Sequence, residues 1–196
     1  MKVIGITGGI ASGKSTVCSY IKDKYQAYIF DADKEAKKLL QSELVHEEIQ
    51  KAFPEIKDLS KKSIADVAFK DQESQKKLND IIHPIIGDII FERINQKNSL
   101  HKFFLVDAAL IIESGIFTTY QKNGAKLILV VADKDIRLNR AMERGTLSEK
   151  TINDRIKLQM QDNLKVKYAD FIIENNSEQS ELFNKVDQIM EKIIHE

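Results

Sequence analysis

The sequence predicts a three-layer α/β domain, a five-stranded parallel sheet with helices on both faces. Short apolar runs rich in β-branched residues recur at residues 3–7, 27–31, 103–107, 127–132 and 171–173. Helical periodicity follows each of them. Four of the eight glycines crowd between Gly5 and Gly13, directly after the first run. Alternating strands and helices cover both faces of a sheet, the condition under which all-parallel pairing is stable.

The run Lys126-Leu-Ile-Leu-Val-Val-Ala132 is apolar on both faces, as a central strand requires, whereas residues 27–31 are shorter and less uniform. Between the second and third runs lie about seventy residues without a strand pattern, too many for an ordinary connection. They read as helices over 35–41, 43–53, 64–70, 72–82 and 85–96, with Pro54 and Pro84 near their boundaries. A helical insertion of this kind is where a second substrate could sit. A second helical insertion, residues 136–167, carries eight Lys or Arg against four Asp or Glu. Such a local excess suits a phosphate-facing segment, and also a solvated helical face. At the end of the chain Leu182, Val186, Ile189 and Ile193 recur at helical spacing and predict a core-facing stripe.

The 196 residues suit one compact domain with insertions, with 42% apolar and 31% charged side chains. Thirty basic and thirty acidic side chains cancel, so no global field recruits nucleic acid or an anionic membrane. The single Cys18 excludes an intrachain disulfide framework, and the histidines at 46, 83, 101 and 195 lack metal-ligand spacing. These features fit a reducing cytoplasm. The N-terminal apolar run is too short for a signal peptide, and no segment is long enough to span a bilayer.

Residues 8–15 read Gly-Gly-Ile-Ala-Ser-Gly-Lys-Ser, a full match to GxxxxGK[ST], with a strand pattern before it and a helical pattern after it. Phosphate oxygens need several N–H donors converging on one point. A tight turn free of Cβ obstruction, at Gly8, Gly9 and Gly13, followed by a helix start, supplies them. The loop Gly9, Ile10, Ala11, Ser12 and Gly13 would wrap the phosphates, and Lys14 would bridge the β- and γ-phosphates. The Ser15 hydroxyl would ligate Mg²⁺, and Thr16 would lie near the α-phosphate. Cys18, one turn on, reads as a buried helix residue.

Such a loop serves kinases, switches and motors alike. The position where a guanine-specific switch carries Asn-Lys-x-Asp reads Ala132-Asp-Lys-Asp135, without the asparagine. At the end of the second strand, Asp31-Ala-Asp33 places two carboxylates two residues apart, on one side if the segment is extended. One of them could accept a proton from an acceptor hydroxyl, and Asp33 could instead cap the following helix. Asp107 closes Phe-Phe-Leu-Val-Asp, a strand-then-Asp element suited to holding Mg²⁺ through water. Arg137, Arg140 and Arg144 share a helix face by spacing, and one of these planar forks could stabilise charge on a transferring group. Arg155 and Gln159 repeat the i,i+4 relation.

From Gly5 to Thr16 the chain resembles the opening of the dephospho-CoA kinases, and Asp31-Ala-Asp33 matches that family's DAD element. The resemblance continues in order through Ile81-Ile-His83-Pro84, Val106-Asp107 to Glu113, Arg140 with Arg144, Arg155 with Gln159, and Ala169 to Asn175. There are departures. Ala109 stands where the family usually has proline, Arg137 where many relatives have glutamine, and an Asp-Arg element expected before Ile64 is absent. The resemblance implies a P-loop kinase, cytoplasmic and a monomer or weak homo-oligomer, that uses ATP and Mg²⁺ to phosphorylate the ribose 3′-hydroxyl of dephospho-CoA. It implies Asp33 as base, Lys14 and Arg140 as phosphate ligands, Arg144 beside the nucleotide and Asn175 in the adenine region, with Ser15 and Asp107 toward the metal. His83 reads as a structural turn residue that could shape the CoA region. Residues 1–33, 102–135 and 168–196 would form the nucleotide-binding core, 34–101 the CoA-binding helical domain and 136–167 the lid. The competing readings are a nucleoside or nucleotide kinase of the same fold and an NTP-driven switch without an acceptor.

Overall fold

The computed structural model describes residues 1–68, 70–145 and 148–196. In chain order the elements are β1 (Lys2–Gly8), α1 (Lys14–Tyr25), β2 (Tyr28–Asp31), α2 (Ala32–Leu39), α3 (Glu43–Ala52), α4 (Lys61–Ala68) and α5 (Gln72–Lys97). They continue with β3 (Phe103–Asp107), α6 (Phe117–Lys122), β4 (Lys126–Val131), α7 (Lys134–Glu143), α8 (Glu149–Leu158), α9 (Asp162–Lys165), β5 (Phe171–Glu174) and α10 (Gln179–His195). The strands form one five-stranded sheet in the order β2-β3-β1-β4-β5. β1 lies at its centre, parallel to β3 with Ile4 opposite Leu105, and parallel to β4 with Ile6 opposite Ile128. This register brings the C-terminal ends of β1, β3 and β4 to one edge, where a doubly wound sheet places its ligands.

The chain divides into two compact units, residues 1–30 with 96–196, and residues 31–95. In the first, Ile4, Ile6, Ile128 and Val130 of the sheet pack with Val17, Cys18 and Ile21 of α1 and with Leu182, Val186, Ile189, Met190 and Ile193 of α10. At roughly 2 kcal/mol for each large side chain withdrawn from water, the five apolar residues of α10 anchor that helix firmly. Gly5, on β1, is where the sheet admits Phe117. A Cβ there would lie 2.8 Å from both the Phe117 ring and Leu127 Cδ1.

The second unit is helical and has its own buried set, including Val45, Ile49, Phe53, Ile64, Leu78, Ile82, Ile86 and Ile90. Three local expectations are corrected here. Pro84 does not separate two helices and His83 is not a turn residue, because α5 runs unbroken through both from Gln72 to Lys97. Leu78, Ile82, Ile86 and Ile90 continue one buried stripe at four-residue spacing across the proline. Pro84 and Asp80, whose carbonyl loses its partner, are both on the exposed side. The DAD segment is likewise not extended throughout. Asp31 is the N-cap of α2, accepting from the Lys34 N–H at 2.8 Å, and Asp33 sits half-buried within the first helical turn. The capping role considered for Asp33 belongs to Asp31, the residue that still has extended backbone. The helix expected over 64–70 is described over Lys61–Ala68, and Phe69 lies outside the described residues, as do Thr146 and Leu147 of the segment 136–167.

Candidate active site

The glycine-rich loop turns between β1 and α1. Gly13, the N-cap of α1, has φ +100°, and the carboxamide of Asn175 fills the place a Cβ would take. Ala11 also adopts a left-handed conformation, φ +59°, which an L-residue enters at a cost of about 1–2 kcal/mol. The Ser12 N–H donates to Gly9 O at 3.1 Å, closing the turn, and the Thr16 and Val17 N–H groups donate back to Gly13 O.

Long-range contacts hold this conformation. Asn175, one residue beyond β5, donates its own N–H to Val131 O at 2.8 Å and its Nδ2 to Ser12 O at 2.8 Å. Its carbonyl accepts from Arg140 NH1 at 3.0 Å. Ile10 is held on both sides of its backbone: its N–H donates to Gln159 Oε1 at 3.2 Å and its carbonyl accepts from Arg137 Nε at 2.9 Å. Arg137 NH1 also pairs with Asp162 Oδ2 at 2.8 Å. Ala11 packs with Ala141 of α7 and Ile152 of α8, with Ile10, Leu138 and Ile156 against them.

Lys14 forms an ion pair with Asp107 at the end of β3, so the expected phosphate ligand and the expected metal-side carboxylate meet. Behind Asp107, Ala109 O accepts from Thr7 Oγ1 at 3.2 Å and from Lys165 Nζ at 3.3 Å. Two donors on its carbonyl therefore fix the turn that carries Ala109. Lys165 is fully buried and pairs with Glu113 Oε1 at 3.0 Å, and the same oxygen accepts from the Met160 N–H at 3.0 Å.

Beside the loop opens a cleft of about 380 Å³, lined by Ala11, Gly13, Thr16, Arg140, Arg144 and Asn175, together with Glu143, Ser177, Gln179 and Leu182. It combines backbone groups at a helix start with the two cations Arg140 and Arg144, donors suited to an anionic ligand. Ser15 is exposed in the first turn of α1. Its hydroxyl and the Asp107 carboxylate are hard oxygen donors of the kind Mg²⁺ takes. Among the described residues no three His, Cys, Asp or Glu side chains converge as a metal site, so an ion here would draw most of its oxygens from phosphates and water.

The structure thus gathers Lys14, Asp107, Arg140, Arg144, Thr16 and Asn175 around the loop, but separates the three arginines by task. Arg140 and Arg144 line the cleft, whereas Arg137 is buried against loop backbone and does not face it. Gln159 reaches the loop, but Arg155 is exposed. Asp33 belongs to the helical unit. Sequence reasoning did not single out Lys165, Asp162, Ser177 or Gln179. Lys165 and Asp162 fall in the basic segment, where no spacing distinguishes them from solvated charges.

Over this whole frame the sequence model of the dephospho-CoA kinases matches residues 2–181. The chain belongs to the dephospho-CoA kinase family. A dephospho-CoA kinase of Fusobacterium nucleatum is 36% identical, the alignment covering 97% of this chain and 98% of that protein. The crystal structure of a Thermus thermophilus protein superposes with a TM-score of 0.80 at 26% identity, covering 97% and 96% of the two chains. The dephospho-CoA kinase from Campylobacter jejuni superposes with a TM-score of 0.66 at 28% identity, covering 98% of each. The α/β P-loop kinase fold is therefore shared with these solved structures over nearly the whole chain.

Proposed function

We propose that this member of the dephospho-CoA kinase family transfers the γ-phosphate of ATP to the ribose 3′-hydroxyl of dephospho-CoA, giving CoA and ADP. The observation that carries the reading is the family match over residues 2–181, which includes the phosphate loop and the helical insertion alike. The cleft beside Thr16, Arg140 and Asn175 takes the adenosine of ATP in this reading, and the loop amides take its phosphates. Lys14 turns from Asp107 toward the β- and γ-phosphates. Ser15 and Asp107 would hold Mg²⁺, which would supply charge neutralisation of the phosphate oxygens.

Arg140 stabilises charge on the transferring group. Its fork already has one N–H on Asn175 O, which leaves other donors for phosphate. Asp33 aligns the 3′-hydroxyl and accepts its proton late in the transfer, as a loose phosphoryl transition state requires. Residues 34–101 serve as the CoA-binding region and 136–167 as the lid. The enzyme works in the cytoplasm, as a monomer or weak homo-oligomer. The deciding experiment measures ADP release from ATP with dephospho-CoA, nucleosides and nucleoside monophosphates offered as acceptors. One CoA formed per ADP, with dephospho-CoA alone stimulating turnover, is expected. ATP hydrolysis that ignores every acceptor would refute the reading.

A further inference from the structure

Arg137 is a buried cation beside the phosphate loop whose contacts are to protein. Its Nε donates to Ile10 O at 2.9 Å, NH1 pairs with Asp162 at 2.8 Å, and the guanidinium lies so close over Gly9 that a Cβ there would fall upon it. In a trans peptide the carbonyl and the following N–H point in opposite directions. Holding Ile10 O toward Arg137 therefore turns the N–H of Ala11 away from it. The next residue, Ala11, carries the left-handed φ of +59°. A peptide adjoining such a strained residue can relax by rotating, unless its carbonyl is held. The other side of Ile10 is tied by Gln159, so the peptides flanking Ile10 are clamped by two side chains from outside the loop.

We propose that Arg137 is a positioning residue for the reaction. It locks the Ile10–Ala11 peptide in the orientation that presents the Ala11 N–H to the nucleotide phosphates, and Asp162 only steadies its guanidinium. A Cβ at Gly9 would force the guanidinium to shift from this position. This inference rests on the proposed use of ATP for its ligand, but its test reads nucleotide binding rather than acceptor chemistry.

The side-chain geometry separates the two bonds. The Nε2 of a glutamine at 137 lies at the same distance along the chain as arginine Nε and can donate to Ile10 O, but it cannot reach Asp162. Arg137→Met removes both bonds, and Asp162→Asn weakens only the ion pair. Binding of Mg·ADP is measured by calorimetry, alongside steady-state kinetics with ATP and dephospho-CoA. Arg137→Met is expected to weaken ADP binding by about tenfold or more and to raise KM for ATP more than it lowers kcat, since a charge-assisted bond holding a phosphate donor is lost. Arg137→Gln should recover binding to within about threefold of wild type, and Asp162→Asn should behave like it.

Arg137→Met binding ADP within about twofold of wild type would overturn the proposal, as would Arg137→Gln losing as much as Arg137→Met. Should Arg137→Met not fold, Arg137→Gln decides alone: retention within about threefold upholds the proposal and a loss of about tenfold overturns it. A wild-type protein that binds ADP but ignores dephospho-CoA would refute the proposed reaction and leave the Arg137 comparison standing.

Discussion

Replacing Lys165 by methionine tests how the turn behind Asp107 is held. Lys165 has no exposure, and its ammonium lies 3.0 Å from Glu113 Oε1 and 3.3 Å from Ala109 O. Methionine keeps most of the apolar stem, so little cavity opens, but the carboxylate of Glu113 is left with the Met160 N–H. Its second oxygen is already buried without a hydrogen-bond partner among the described residues. Breaking a buried pair from one side costs about 3–5 kcal/mol, and the 18% exposure of the Glu113 side chain favours the lower end. For a chain of this size each kcal/mol moves Tm by about 2–4 °C, so Lys165→Met should lower Tm by roughly 6–12 °C. Adding Glu113→Gln should restore at least half of that loss, because a neutral amide tolerates the missing cation and still accepts from Met160. Melting followed by circular dichroism for the two single variants and the double variant checks both parts. A Lys165→Met protein melting within about 2 °C of wild type, or a double variant no better than the single, would refute the reasoning.

Gly13→Ala combines a strained φ of +100° with a Cβ driven onto the Asn175 carboxamide, so Mg·ADP binding should weaken by about tenfold or more, checked by calorimetry. Asp33→Asn should lower kcat by about 10²- to 10⁴-fold while ATP binding stays near wild type, and turnover within a few-fold of wild type would move the base role away from Asp33. Asp187 accepts from Lys24 at 2.7 Å, Tyr25 at 2.8 Å and Tyr20 at 2.9 Å. Burial raises its carboxyl, but these donors outweigh it and hold the group below the ordinary carboxylate range. The stability it contributes is thus present above about pH 4 and lost as pH falls. The Tyr25 phenol is pushed up to about 12 by burial and by its bond to Asp187. Its contribution is present below about pH 10 and is lost as pH rises past that value. Asp187→Asn should therefore flatten both limbs of a Tm-versus-pH curve, and unchanged limbs would assign the cluster no part in stability.

The sequence by itself determined the features in which cause and effect are neighbours along the chain. Residues 8–15 announce a phosphate loop because the glycines, the lysine and the helix start act within one turn. β1, β3 and β4 were legible because burial on both faces leaves continuous apolar runs, and α10 because its stripe repeats every three or four residues. Tertiary structure decided the rest. Pro84 stays inside α5 because a buried stripe on the opposite side outweighs one missing backbone bond, and local rules do not weigh that packing. Asp31 rather than Asp33 caps α2 because the end of β2 sets which residue still has extended backbone. Arg137 and Lys165 read as ordinary members of a basic segment. What distinguishes them is burial against Ile10 O, Asp162, Glu113 and Ala109, partners brought from up to 127 residues away. Asn175 reaches Ser12 across 163 residues. Such pairings follow from sheet register and helix packing, and no pattern of nearby residues encodes them.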